Sequence, residues 1–530
     1  MNLTTDRWIP IVWADGQPGT VSLWDAFARA EDIRDLAVRP HERIAVMRLL
    51  ICIAQAALDG PTDHDDWKAC RAKITPAAVD YLKRWQKAFE LLGDGHRFLQ
   101  VDGLKKPDNK NHDDEGNSVS KLDLALATGN NSTLFDNGGG SDRAFELPDV
   151  ALALLTFQCF SPCGTIGVAL WNGAPTLGWS SYPAVKPGQS KHAPCLSGNM
   201  LHSYLRGEAL LESLHHNLMT KEQITRFCGP DAWGRPIWEQ MPSKPTDKAG
   251  MRNATQTYLG RLAPLSRAIR LEENCRSMML ANGLDYPDYR EGWREPSATI
   301  ITRNVKKQPT RVTLAAEIEK STWRELRALT VIAVDKNTNG GPAVLENLDK
   351  KEAFDMWVGG LVAEGNGKLV DTTESVFNIP AAMLHETSQR VYEEGVKHSE
   401  RVEYRLRRAV STYRLAMETN EGDLGGINRR LASLKKPEKD RMDKLSAKAK
   451  AQFWTDIEQA VPQLLNVATN PEQLGLNNEW HNTDWGKTVW RAARSAYERA
   501  CPSDTPRQMR AYALGLNALH FTSKQEKESE

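Results

Sequence analysis

Apolar residues recur at helical spacing in one early segment and through the last third of the chain. Between Arg43 and Leu58 they fall three or four residues apart with other apolar residues between them, which predicts a helix buried on most of its circumference. After Pro380 the helical period is nearly continuous, and the apolar positions form one-sided stripes that must be buried against one another. The stripes comprise Val402, Leu406, Ala409, Tyr413 and Met417; Phe453, Ile457, Ala460 and Leu464; and Val489, Ala493, Ala496 and Ala500.

The middle of the chain has a different pattern. Short apolar runs, VALALLTF and TIGVALW, alternate with glycine and proline clusters between Pro148 and Gly207, which favours strands over helices. Thr299–Thr302 and Val331–Val334 alternate in the same way, whereas Val101–Gly140 is polar and predicts long loops. We therefore expect an α+β fold. A mixed amino-terminal domain with long loops, 1–377, precedes a carboxy-terminal four-helix bundle, 378–530, with a short disordered tail.

Length and charge narrow the class of protein. The 530 residues exceed what one core holds, which predicts two domains. Lys+Arg and Asp+Glu are both 68, so the chain as a whole does not attract a polyanion, and any nucleic-acid contact must come from local clusters and partner subunits. The start MNLTTDRWIP lacks the apolar region of a signal peptide, and no apolar run has membrane-spanning length. These features predict a cytoplasmic protein without membrane contact, and its eight scattered cysteines are expected to be reduced.

Several short segments occur in a characteristic order. The chain starts with Asn2-Leu3 and Asp6-Arg7-Trp8-Ile9-Pro10, and the apolar helix follows. Further segments are His96–Gln100, Asn131–Asp136, Pro194–Ser197, Tyr204–Gly207, Trp293–Pro296 and Gly359-Gly360. In order and spacing they resemble the CasA family, the large subunit of the type I-E CRISPR Cascade surveillance complex. The resemblance touches most of the chain.

The resemblance implies a non-catalytic subunit that acts in antiviral defence together with crRNA and other Cascade protein subunits. In that family the subunit recognises the protospacer-adjacent motif (PAM) in double-stranded target DNA and promotes duplex opening and R-loop formation. It then presents the opened target to a separate helicase-nuclease. Such a subunit needs small loops that enter a groove and a wedge that splits the next base pair, while pairing with the guide reads the sequence. No cofactor is implied.

Three loops match the family by position. The first resembles a loop beside the guide RNA, where an aromatic ring can stack on a base; its residues are Leu134, Phe135, Asp136 and Asn137. The second resembles a glycine-containing loop against the DNA groove, formed here by Ser161, Pro162, Cys163 and Gly164. The third resembles a hairpin tip that wedges into the duplex and comprises Glu364, Gly365, Asn366 and Lys368. For the first loop, the alternative is that its apolar side chain packs into the local core. For the second loop, the alternative is an ordinary turn between two strands.

A basic face in the bundle is a further candidate. Arg401, Arg405 and Arg408 share a helix face opposite the apolar stripe, without interleaved acids, which favours contact with the DNA backbone. Lys435, Lys436 and Lys439 add a basic turn. The alternative is an ordinary solvated face.

Metal and enzyme chemistry have weaker support in the sequence. Cys159 and Cys163 form a single CxxxC without a second pair or a neighbouring histidine, which is poor support for tetrahedral zinc. The motifs His64-Asp65-Asp66 and His112-Asp113-Asp114 suggest a metal-dependent phosphohydrolase of the His-Asp type, but such sites need ligands that converge from several helices. A scaffold protein that does not read DNA is the other alternative. No nucleophile elbow, P-loop or dinucleotide fingerprint is present in the sequence.

Overall fold

The computed structural model describes residues 1–107, 116–126, 145–161, 167–176, 199–284, 294–364, 368–419, 423–475 and 479–520. The chain divides into two compact units. Unit 1 comprises Met1–Thr322 and Ala328–Ile379, and unit 2 comprises Trp323–Arg327 and Pro380–Glu530. The helical unit therefore includes a short segment that precedes the last two strands of unit 1. The functional division of the chain expected at residue 377 stays a prediction.

The central helix of unit 1 is the one expected from the apolar spacing. It spans Pro40–Leu58, and every residue from Ile44 to Gln55 is buried. Proline suits its first turn, since the first amides of a helix have no partner within it. The helices of unit 1 are α1 Leu23–Ala28, α2 Pro40–Leu58, α3 His64–Trp85, α4 Leu147–Phe160, α5 Leu210–His216, α6 Lys221–Cys228, α7 Lys248–Gln256 and α8 Tyr258–Leu262; α9, Leu326–Thr330, straddles the boundary between the units.

The described strands of unit 1 form small sheets in which every pair is antiparallel. The strands are β1 Ile9–Trp13, β2 Pro18–Val21, β3 Ile33–Leu36, β4 Leu104–Lys105, β5 Asn117–Ser118, β6 Leu170–Trp171, β7 Ala174–Pro175, β8 His202–Arg206, β9 Arg267–Leu271, β10 Ser277–Asn282, β11 Ile300–Val305, β12 Gln308–Thr313, β13 Phe354–Glu364 and β14 Lys368–Ile379. Their orders are β2-β1-β3, β5-β10-β9, β4-β6-β7 and β14-β13-β8, and β11 pairs with β12 alone. The alternation at Thr299–Thr302 is thus confirmed as the start of a strand.

Unit 2 is helical, which confirms the expected α+β fold with a carboxy-terminal bundle. Its described helices are α10 Glu386–Glu418, α11 Leu424–Ser433, α12 Lys436–Glu458, α13 Val461–Thr469, α14 Asp484–Ala500 and α15 Pro506–His520. The longest helix, α10, packs against α12, α14 and α15, so these four long helices form the bundle. Trp323 completes its core, since the indole is fully buried against Trp454 and Trp485 and its carbonyl oxygen accepts a 2.8 Å hydrogen bond from the Tyr392 hydroxyl.

Three expectations from the sequence pattern are wrong. The run VALALLTF lies in helix α4, where every residue from Val150 to Phe160 is buried, and a helix buried all round has no one-sided stripe by which to recognise it. Val331–Val334 forms no strand. The stripe from Phe453 to Leu464 is divided between two helices, because α12 ends at Glu458 and α13 begins at Val461, with Pro462 in its first turn.

Candidate nucleic-acid interface

The hairpin β13–β14 ends at the candidate wedge. Its register runs from Phe354 opposite Ile379 to Glu364 opposite Lys368. Gly365 and Asn366 lie outside the described residues, and only the backbone is described for Glu364 and Lys368. The motif therefore lies between the paired ends of two long strands, and the role of its side chains as a duplex wedge stays a prediction.

Gly359 and Gly360 lie where the hairpin leaves the body of its sheet. A Cβ atom on Gly360 would be 2.6 Å from the carbonyl oxygen of Met200, and one on Gly359 would be 2.5 Å from the Trp357 ring. Both distances are shorter than real Cβ contacts, so a side chain would displace the strand or its neighbour. The close approach of backbone explains why the motif needs glycine at these positions.

The candidate groove loop starts at the end of a helix and not, as the alternative supposed, between two strands. Ser161 follows α4, is 5% exposed and accepts a 2.7 Å hydrogen bond from Nε of Arg267. Its side chain is therefore committed to the interior of unit 1. Pro162, Cys163 and Gly164 lie outside the described residues, and their contact with a DNA groove stays a prediction.

The β11–β12 ribbon is a functional candidate that sequence reasoning missed. All residues from Asn304 to Arg311 are exposed, and the ribbon contains Arg303, Lys306, Lys307 and Arg311 but no acidic residue. The tip lysines form no ion pair with another described residue, and both have left-handed backbone angles, with φ of 51° and 68°. A lone two-stranded ribbon with a basic tip has a shape and charge that suit a DNA groove. The sequence signal that could have identified this ribbon is its four basic residues within a short segment that has no acidic residue.

The three arginines of the basic face have different surroundings. Arg401 is exposed, Arg405 stacks over Trp490 with 5.6 Å between the guanidinium carbon and the ring centre, and Arg408 donates to Asn428 at 3.1 Å. Arg405 and Arg408 are half-buried. On the helical wheel Arg405 lies about 80° from the centre of the stripe, so the expectation of a face opposite the stripe is wrong for it, whereas Arg408 lies about 140° from that centre, on the opposite side.

The charges of this face act on a neighbouring histidine. Burial lowers the pKa of His398 to about 4, and the positive charges of Arg401 and Arg405 contribute in the same direction. Glu403 lies on a different face of the same helix, where it pairs with Arg407 at 2.9 Å. In the basic turn, Glu438 accepts a 2.9 Å hydrogen bond from the backbone amide of Lys435, one of the three lysines Lys435, Lys436 and Lys439.

The remaining candidates give no assembled metal or catalytic site within the described residues. Cys159 is fully buried, whereas Cys163 and the guide-RNA loop of Leu134, Phe135, Asp136 and Asn137 lie outside the described ranges. His64 begins α3, whose preceding residue Asp63 accepts a 2.9 Å hydrogen bond from the amide of Asp66, as helix-capping residues do. Among described residues, no group of three or more histidine, cysteine and acidic side chains could hold a metal ion.

Comparisons with known proteins decide the family. The model of the CRISPR-associated protein Cse1 family matches residues 2–496. The chain belongs to the Cse1 family. A curated relative, the CasA/Cse1 protein of Thermus thermophilus, is 25% identical over 526 residues, which cover 93% of this chain and 92% of that protein. The family resemblance deduced from the short segments is thereby confirmed.

Solved structures of other Cse1 proteins have the same fold. The crystal structure of CasA from Thermus thermophilus matches with a TM-score of 0.71 and 21% identity, covering 98% of both chains. A chain of a structure described as a CRISPR RNA-guided surveillance complex matches with a TM-score of 0.68 and 16% identity, covering 98% of this chain and 99% of that one. In this Cse1-family chain, none of the described helices is long and apolar enough to cross a lipid bilayer.

Proposed function

We propose that this Cse1-family protein is the non-catalytic subunit that reads the PAM in a crRNA-guided antiviral DNA surveillance complex. It binds the duplex beside the target, promotes duplex opening and R-loop formation, and recruits the helicase-nuclease. Its partners are the other Cascade protein subunits, crRNA and double-stranded target DNA. Family membership supports the assignment, as does the likeness to a chain of a CRISPR RNA-guided surveillance complex.

The β11–β12 ribbon is the observation on which the proposal mainly rests. Left-handed backbone costs a residue with a side chain roughly 1–2 kcal/mol, and hairpin turns of this kind favour Asn-Gly. Lys306 and Lys307 hold such positions at the exposed tip instead. Strained backbone that presents charge to solvent is typical of a binding site, and here the charge suits phosphate.

The hairpin β13–β14 supplies the second part of the proposed mechanism. The β11–β12 ribbon holds the phosphate backbone and brings duplex DNA to the protein, and the end of the β13–β14 hairpin splits the first base pair next to the PAM. Separation of the strands costs a few kcal/mol per base step, and pairing of the target strand with the crRNA offsets that cost. The protein then needs no catalytic group of its own.

Mobility-shift titrations of the reconstituted complex test this function. The complex, with crRNA and all protein subunits, is titrated onto duplexes that share one target and differ only in the adjacent motif. We expect the apparent Kd to vary at least about tenfold among motifs, since one wrong base pair typically costs 1–3 kcal/mol. A scaffold that does not read DNA predicts equal Kd values for all motifs, and that result would refute the proposal.

A further inference from the structure

A buried ion pair lies beneath the sheet that contains the β13–β14 hairpin. The guanidinium of Arg48, on α2, pairs with the Glu295 carboxylate and donates from Nε to the carbonyl oxygen of Leu262 at 3.1 Å. The two side chains are 2% and 8% exposed. Burial raises the pKa of Glu295, but the positive charges of Arg48 and Arg261 outweigh it, so that the pKa is lowered and the carboxylate is ionised.

The residues after Glu295 hold strand β8. The amide of Ser203 donates to the carbonyl oxygen of Ser297 at 2.9 Å, and the Ser297 hydroxyl lies 2.9 Å from Nδ1 of His202. On its other side β8 pairs with β13, where His202 is opposite Gly359. The ion pair therefore fixes a segment that fixes β8, and β8 in turn supports β13.

Only the base of the hairpin has this support. Strand β8 pairs with β13 from Asp355 to Gly359, and from Gly360 to Glu364 the partner of β13 in the described structure is β14 alone. Beyond Gly359, β13 therefore has no second partner strand in the described structure, although the side chains of Leu361 and Val362 are still buried. Isolated two-stranded ribbons are marginally stable, so the part of the hairpin beyond Val362 depends on how rigidly the paired strands before it are held.

A small cavity adjoins the ion pair. Its volume is about 20 Å³, and Arg48, Ser203, Tyr204 and Glu295 are among the residues that line it. Oε2 of Glu295 and Oγ of Ser203 are buried and have no hydrogen-bond partner among the described residues. A cavity above roughly 10–15 Å³ has room for one water molecule, and a water that reached both oxygen atoms would satisfy them.

We propose that Arg48 and Glu295 are positioning residues for the hairpin, that they act through β8, and that one bound water completes their network. The consequence for duplex opening rests on the proposed function. The consequence for the rigidity of the sheet does not depend on it, so separate experiments can refute the proposed function and the positioning role.

Hydrogen exchange of the assembled complex tests the effect on the sheet. Glu295→Gln keeps the shape of the side chain and removes its charge. Glu273→Gln is the control, because it breaks another ion pair of unit 1 that joins a buried arginine, Arg97, to an acid. Loss of a hydrogen bond to a charged group predicts amide exchange in β8 and at the base of β13 that is faster by about tenfold or more. Unchanged exchange there in Glu295→Gln, or an equal rise in the control, would overturn the inference.

Duplex opening distinguishes positioning from general damage. We expect Glu295→Gln to slow the opening of an intact target about tenfold or more and to change the Kd for a target with a pre-opened bubble less than about twofold, since only the intact duplex needs the wedge. Equal losses on both targets would overturn the positioning role. A wild-type complex that does not open the intact target would refute the proposed function and leave the exchange result to decide the inference.

A milder variant keeps the inference testable if Glu295→Gln does not fold. Ser297→Ala removes the hydroxyl that contacts His202 and leaves the ion pair intact. A neutral hydrogen bond predicts about fivefold faster exchange at β8, with no change in the β9–β10 sheet. Exchange at β8 equal to that of the wild type would contradict the chain of support from Glu295 to the hairpin.

Discussion

The two lysines at the tip of the β11–β12 ribbon should have opposite effects on stability and on DNA binding. Their left-handed backbone costs a residue with a side chain roughly 1–2 kcal/mol, a cost that asparagine reduces and glycine removes. The double substitution Lys306→Asn, Lys307→Gly is therefore expected to raise the free energy of unfolding by about 1–2 kcal/mol. If the turn had only a structural role, this double substitution would raise stability and leave DNA affinity unchanged.

The effect on DNA binding follows from the charge removed. The slope of log K against log salt is about −0.9 for each phosphate neutralised, so the loss of two lysines makes the slope shallower by about 2. Between 50 and 200 mM salt, the affinity of the wild type should then fall about tenfold more than that of the variant. At low salt the variant should bind more weakly than the wild type.

Fluorescence anisotropy of a labelled target duplex with the reconstituted complex, at four salt concentrations, measures this slope. Thermal unfolding of the isolated chain measures stability. Lys306→Arg, Lys307→Arg is the matched control, which keeps the charge and the strained backbone and should keep the slope. A slope equal to that of the wild type in the Asn-Gly variant would refute the assignment of the ribbon to DNA.

Three further outcomes are expected. Gly360→Ala places a Cβ atom 2.6 Å from a backbone carbonyl oxygen and should lower the free energy of unfolding in urea by about 1–3 kcal/mol. Gly167→Ala, whose new Cβ has no atom of a described residue within 4 Å, should unfold like the wild type, and equal urea midpoints for the two variants would contradict the packing argument. Burial lowers the pKa of His202 to about 3. As the pH falls below about 6.5, this histidine is protonated in the unfolded chain but not in the folded one, so the free energy of unfolding decreases by about 1.4 kcal/mol per pH unit until about pH 3. Replacement of His202 by asparagine should make the free energy of unfolding depend less on pH. An unchanged pH dependence would show that His202 does not cause the loss of stability. Arg401→Ala should make the slope of log K against log salt shallower by about 1 without a change in Tm. Arg405→Ala should lower Tm, because it removes the contact with the Trp490 indole ring. A lower Tm for Arg401→Ala would instead place Arg401 in the bundle core.

The sequence predicts an element well where its period is unambiguous. Helix α2 and the stripes of the bundle follow from apolar spacing, because a helix with a buried face repeats its apolar positions every three to four residues. Helix α4 is missed because all of its surface from Val150 onward is buried, and a fully apolar run does not distinguish a buried helix from a buried strand.

The candidate site is less accessible to sequence reasoning. The turn of β11–β12 lacks the Asn-Gly signal of a tight hairpin, so Lys306 and Lys307 give no indication that they lie at a tip. The Trp293–Pro296 segment indicates the family, but the structural role of its members depends on distant partners. Arg294 donates to the carbonyl oxygens of Gly340 and Gly341, and Glu295 pairs with Arg48, contacts that only the folded chain brings together.

Strand separation at the target tests the central claim most directly. A 2-aminopurine placed at the first target base pair beside the PAM becomes fluorescent when it unstacks, and the signal is followed after addition of the crRNA-containing complex with or without this chain. We predict fast opening only with the chain present and only beside a permissive PAM. Equal opening rates for complexes with and without the chain, across all adjacent motifs, would contradict the account.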